Sequence, residues 1–176
     1  MHSTLQNIIP AKVDTPEPFA GIFSQLGIAA ITYAHPSVFT VEEGKGFEHL
    51  IPGGHTKNLF LKDKRARLWL ITALSDTVID LKGLHRRLDA GRLSFGNAEL
   101  LLQTLTVAPG SVTPLALIND AQRAVTLVLD SRLMVCDTVN VHPLRNDRTT
   151  GMAPSGLLAF LQNLGYTPMI LDFAAE

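Results

Sequence analysis

What is scarce in this chain narrows its class. One residue of 176 is a cysteine, Cys136, which excludes an intrachain disulfide and a zinc site built on several thiolates, and suits a reducing compartment. Between Val135 and Asp137 it reads as a small buried apolar residue rather than a nucleophile. No apolar run reaches the ~18 residues that a bilayer-spanning helix needs, and no basic-then-apolar leader opens the chain. The sequence therefore predicts a soluble, cytoplasmic protein with no membrane partner. Neither charge dominates: 15 Lys and Arg against 16 Asp and Glu leave a net charge of −1. No chain-wide positive field marks a DNA partner, and any polyanion must meet a local patch.

Familiar catalytic signatures are missing as well. There is no Gly-x-Ser-x-Gly elbow, phosphate loop, His-Glu-x-x-His pair or dinucleotide glycine fingerprint. His35, His49, His55, His85 and His142 are scattered without metal-ligand spacing, so neither a metal nor another cofactor is expected.

What is present fits one globular domain, with 46% hydrophobic and 18% charged residues. Residues 1–14 show no period and read as a tail or clasp on a domain spanning 15–176. Thr15-Pro16-Glu17 reads as a helix start, with Phe19, Ile22, Phe23 and Leu26 at helical spacing and Gly27 as the stop. A strand comes next over Ile28–Tyr33, then a short acidic helix within Val41–Leu50. Leu59–Leu61 with Leu68–Ala73, and Leu115–Ile118 with Val125–Leu129, both read as β-hairpins around polar turns. Between them lie helices over Leu81–Leu88 and Asn97–Leu105. The last third offers a strand over Thr138–Val141, a polar loop or edge from His142 to Thr150, a helix opening at Pro154 and closing at Gly165, and a strand over Met169–Leu171. Strand pairs interrupted by helices, without regular alternation, predict an α+β domain on a mixed sheet.

Chemistry is concentrated at strand ends. Pro52-Gly53-Gly54 precedes His55-Thr56-Lys57-Asn58, which runs into Leu59-Phe60-Leu61, a strand buried on both faces. On a two-residue repeat Lys57 shares a face with Leu59 and Leu61, and Asn58 shares the other with Phe60. A second polar cluster is His142-Pro143-Leu144-Arg145-Asn146, and a third is the loop Pro109-Gly110-Ser111-Val112-Thr113-Pro114. Strand ends and glycine loops present side chains and N–H donors to ligands. Taken singly, Lys57 also reads as a surface lysine, Asn58 as a turn residue and His142 as a strand-end histidine stacked on Pro143. The basic residues Lys62, Lys64, Arg65, Arg86 and Arg87 matter only if a phosphate backbone is the partner.

The ordered set PGGHTKNLFLKD, LWLITA, GRLSFGNAELL, PGSVTPLALIND, NVHPLRNDRTT and MILDF resembles the freestanding prolyl-tRNA editing proteins of the YbaK/aminoacyl-tRNA-synthetase-associated superfamily. The likeness is strongest to their alanyl-tRNA(Pro) deacylases, and covers about residues 18–173. It implies a mixed, curved β-sheet wrapped by helices, and hydrolysis of the ester that joins a mischarged alanine to the terminal ribose of proline tRNA. It also implies roles for Lys57, Asn58 and His142 in catalysis and for Gly110, Ser111, Val112, Thr113, Pro114 and Asn146 in holding substrate, with no cofactor. The implied partners are the acceptor end of tRNA(Pro) and, transiently, prolyl-tRNA synthetase or an elongation factor. A sister deacylase for cysteine or serine, and a noncatalytic module that binds tRNA or a synthetase, remain open alternatives.

Overall fold

Side chains that alternate along one long central strand divide the molecule into two layers. The computed structural model describes residues 9–175. In chain order its elements are β1 (Ala11–Val13), α1 (Phe19–Gln25), β2 (Ala30–Ala34), α2 (Val41–Gly44), β3 (Gly54–Asp63), β4 (Leu68–Leu74), α3 (Leu81–Arg87), β5 (Leu93–Phe95), α4 (Ala98–Leu105), β6 (Val125–Asp130), β7 (Val139–Val141), β8 (Arg148–Met152), α5 (Pro154–Asn163) and β9 (Met169–Leu171). Short 3-10 turns cover Glu48–Leu50, Pro114–Asn119 and Ser131–Val135.

The strands form a mixed, curved sheet in the order β1-β2-β8-β7-β3-β4-β6-β9, with helices against it. The β3–β7, β4–β6 and β6–β9 pairs are parallel and the others antiparallel. Phe60 and Leu70 face the larger core, with Leu101, Leu115, Leu129 and Phe160. Leu61, Trp69 and Ile71 face a smaller one, closed by Leu84 of α3 and by Leu88 just after it. That in-out alternation is why β3 and β4 read as apolar on both faces. α1 docks through Phe19 and Phe23, whose rings lie 5.9 and 5.6 Å from that of Phe160 on α5.

One break in the pairing positions the functional groups. β4 accompanies β3 from Thr56 to Lys62, yet the other edge of β3 meets β7 only at Gly54 and His55, and β5 only at Leu61 to Asp63. Residues 56–60 therefore have no strand on that edge, and the sheet carries a slit there. Gly53 makes the seam at one end of the slit possible: it holds φ +110, and a Cβ would lie 2.7 Å from the Thr138 carbonyl oxygen. The double glycine thus serves close approach to β7, rather than to a ligand as its flexibility suggests. Thr56 Oγ1 donates to the Asn140 carbonyl at 2.8 Å and extends the seam by one more bond.

Several elements depart from the sequence expectations. α1 begins at Phe19, after Pro18, not at Thr15-Pro16-Glu17. Glu17 precedes a proline, which disfavours helical backbone at that residue, and Thr15 Oγ1 hydrogen-bonds Thr32 Oγ1 at 2.8 Å instead of capping. Leu115–Ile118 is not half of a hairpin. It lies in the 3-10 turn opened by Pro114, where Thr113 Oγ1 accepts from the Leu115 N–H at 3.3 Å, and β6 pairs in parallel with β4. A short run buried on all sides carries no periodicity to separate turn from strand. The expected acidic helix is split into α2 and the turn Glu48–Leu50, and the polar segment after His142 contains β8, an interior strand. Of residues 1–14, 1–8 lie outside the described residues, and Ala11–Val13 pair with β2.

Candidate active site

The slit beside β3 opens into a cleft of about 260 Å³. Its walls come from β3 (Lys57, Asn58, Leu59), the last residue of β7 and its successor (Val141, His142), the segment around α2 (Phe39, Val41, Phe47, Glu48) and the loop at Gly110 and Val112. That volume suits a small group such as an amino-acid head more than a large ligand.

Lys57 and Asn58 sit inside a strand rather than at the entrance of one, and both reach the cleft because the edge of β3 is open there. Lys57 Nζ donates to the main-chain carbonyl of Thr77. Thr77 is itself fixed: its hydroxyl donates to the fully buried Asp130 carboxylate and accepts from Arg132 Nη1 at 2.9 Å. Asn58 Oδ1 accepts from Thr72 Oγ1 at 2.7 Å across the β3–β4 pair, which orients the amide and leaves its NH2 to donate elsewhere.

His142 Nδ1 lies 2.8 Å from the Arg148 carbonyl oxygen, which only accepts, so Nδ1 carries a proton. In the neutral ring Nε2 then holds a lone pair, and it has no protein partner among the described residues. Burial pushes the His142 pKa down, opposed by the Arg148 carbonyl and Glu48 and reinforced by His55. A second histidine repeats the design. His35 Nδ1 donates to the Pro36 carbonyl and Nε2 meets Thr149 Oγ1, each at 2.8 Å. Its ring stacks on Phe47 at 4.4 Å between centroids and stands 6.4 Å from that of His142. Burial lowers the His35 pKa too.

The Gly110-to-Pro114 loop divides its labour. Gly110, at φ +91, lies against Phe39 at the mouth and Val112 lines the wall. Ser111 is half-buried beside them without lining the cleft, while Thr113 caps the following turn and Pro114 is buried. Asn146 stays outside the lining, and its carbonyl accepts from the Val38 N–H at 2.9 Å. Lys62, Lys64 and Arg65 stand at the far end of β3, five or more positions from Lys57, roughly 16 Å or more along a strand. Arg86 and Arg87 are exposed on the last turn of α3, tied to that same end by Arg67, whose Nη2 donates to the Asp89 carbonyl at 2.7 Å. None of these five cations lines the cleft. Among the described residues no group of three or more His, Cys, Asp or Glu is arranged to hold a metal, and no helix is long and apolar enough to cross a membrane.

His35, Glu48, Thr77 and Thr149 escaped the sequence reading, and His55 was named there only as part of its polar cluster. A signal existed for His35: like His142 it ends a strand and precedes a proline, and folding sets the two rings side by side.

Comparison with known proteins shows the family. A "Prolyl-tRNA synthetase associated domain-containing protein 1" of Danio rerio is 41% identical over 165 residues, covering 93% of this chain and 90% of its own. The "Prolyl-tRNA editing protein ProX" of Acetoanaerobium sticklandii is 30% identical over 156 residues, covering 88% and 95%. A solved candidate trans-editing enzyme for prolyl tRNA synthetase superposes with a TM-score of 0.65 at 18% identity, over 86% of this chain and 91% of its own, a likeness of fold. The family model described as "Aminoacyl-tRNA editing domain" matches residues 35–160, which span every cleft-lining residue from His35 to Thr149. The chain belongs to the aminoacyl-tRNA editing domain family.

Proposed function

We propose that this protein is a trans-acting aminoacyl-tRNA deacylase that hydrolyses mischarged alanyl-tRNA(Pro). The observation that carries the reading is the meeting of Lys57, Asn58 and His142, from two segments more than eighty residues apart, around one small and largely apolar cleft. Family membership and the printed names of the relatives support tRNA as the polymer and proline as the identity being guarded.

An aminoacyl ester is already activated, so positioning and charge stabilisation suffice. Water attacks the carbonyl carbon, the bond to the ribose oxygen breaks, and that oxygen leaves with a proton. His142 Nε2 accepts a hydrogen bond from the attacking water and orients its lone pair. Lys57 supplies positive charge to the developing oxyanion or the terminal phosphate, and the Asn58 amide donates to the ester or ribose. Alanine specificity in this reading requires a part of the cleft that takes a methyl side chain and rejects a proline ring by overlap, the easier direction of discrimination. The acceptor end of tRNA(Pro) is the partner, met in the cytoplasm, with prolyl-tRNA synthetase or an elongation factor as a transient neighbour.

The test is a panel of tRNA(Pro) charged with alanine, proline, cysteine or serine. Discharge of alanine with proline spared is expected. Preference for cysteine or serine transfers the protein to a sister specificity, and RNA binding without any ester cleavage makes it a noncatalytic module.

A further inference from the structure

Two opposite formal charges line the cleft, Lys57 and Glu48, and they do not pair with each other. Lys57 is held by a carbonyl. The Glu48 carboxylate accepts no hydrogen bond and forms no ion pair among the described residues. The neighbouring acids are occupied: Glu42 pairs with Lys45 at 2.7 Å, and Glu43 accepts from the Phe39 N–H at 2.7 Å.

Glu48 is also given its place by a missing side chain. Gly44, buried at the end of α2, lies beneath the carboxylate, so that a Cβ there would stand 2.6 Å from Oε1 and 3.2 Å from Cδ. The bare backbone lets the carboxylate lie inside the wall instead of swinging to solvent. Its charge is felt across the cleft at His142, where it opposes the effect of burial. A half-buried carboxylate with no protein cation favours a cation brought by the ligand.

We infer that Glu48 recognises the free α-ammonium group of the aminoacyl substrate, which makes the site selective for esters of unblocked amino acids. The inference rests on the deacylase reading and deepens it by naming a substrate feature. An α-amino group titrates near ~7.7–8.0 and is mostly cationic at neutral pH. With the ammonium at Glu48, the ester carbonyl between Lys57 and Asn58, and His142 on the water side, the substrate spans the cleft as a dipole whose ends meet opposite charges.

The probe is a pair of substrates of nearly equal size: alanyl-tRNA(Pro) and lactyl-tRNA(Pro), in which a hydroxyl replaces the ammonium. The quantity read is the alanyl-to-lactyl ratio of kcat/KM, compared between the native protein and variants so that intrinsic ester reactivity cancels. Glu48→Gln is expected to lower this ratio roughly tenfold or more, by a loss on the alanyl substrate with the lactyl rate little changed. Gly44→Ala keeps the charge and a good helix residue while displacing the carboxylate, and is expected to lower the ratio in the same direction. An unchanged ratio in both variants overturns the inference and leaves the deacylase reading standing. Equal loss on both substrates assigns Glu48 a structural role and also overturns it. Failure of the native protein to cleave either ester removes the deacylase reading, and the role of Glu48 with it.

Discussion

Arg132 grips Asp76 through Nη1 at 2.9 Å and Nη2 at 3.2 Å, one residue away from the carbonyl that receives Lys57. The guanidinium occupies both oxygens of a carboxylate that otherwise competes for the Lys57 ammonium. Its hydrogen bond to Asp76 holds that carboxyl below its usual range, and Lys57 contributes to the same effect. Arg132→Gln releases Asp76, and deacylation is expected to fall by about two- to fivefold, the scale of an exposed ion pair. Arg132→Gln with Asp76→Asn removes the competitor and restores the rate. Single-turnover assays of the two variants check this, and a double variant as slow as the single one refutes the competition.

Among the described residues, Lys57→Ala removes the one lysine or arginine that lines the cleft. Loss of a group that stabilises developing negative charge costs roughly 10²–10³-fold in turnover. Rates on alanyl-tRNA(Pro) measure it, and a variant that keeps the native rate removes Lys57 from the mechanism.

Thr72→Val replaces the hydroxyl that anchors Asn58 by a methyl of similar size, at a fully buried position. Stability is expected to drop by about 0.5–1.5 kcal/mol, while kcat falls by about two- to tenfold because the amide is free to rotate. Thermal unfolding and kinetics on the same sample separate the two. A stability loss with unchanged kcat means that Asn58 needs no anchor.

Low pH acts through the two buried imidazoles. The folded-state pKa values of His142 and His35 lie below the ordinary 6.5, chiefly through burial, so the unfolded chain binds more protons as pH falls through that value. Their contribution to stability is complete above about 6.5 and is lost as pH falls towards the lowered folded values. Urea midpoints are expected to be lower at about pH 5.5 than at about pH 7.5, and His142→Gln narrows the difference. A gap of unchanged size in that variant excludes His142 as a source.

The sequence made the strands with strong patterning readable, and with them the groups they carry. Leu59–Leu61 and Leu68–Ala73 announced the β3–β4 hairpin, Pro154 and Gly165 bracketed α5, and Met169–Leu171 is β9 as expected. Lys57, Asn58 and His142 stood out as polar residues at strand ends or beside buried runs, and their ordered motifs matched a family. The slit in the sheet was not readable, because it arises from pairings that β3 fails to make with β7 and β5, partners up to eighty-five residues away. For the same reason nothing local separated Gly110 and Val112, which line the cleft, from Thr113 and Pro114, which build the turn behind it. Glu48 stood in the sequence only within a short acidic helix, and folding places it over Gly44.

Lys57 and Asn58 ride on a strand backed by β4, whereas His142 and Thr149 belong to the half built from β7, β8 and β2. The two halves are stitched along the slit by the Gly54–Val139 and His55–Asn140 pairs and the bond from Thr56 to the Asn140 carbonyl. The span between ammonium and imidazole is therefore gauged by that stitch, whose His55, Thr56 and Asn140 also form part of the cleft wall.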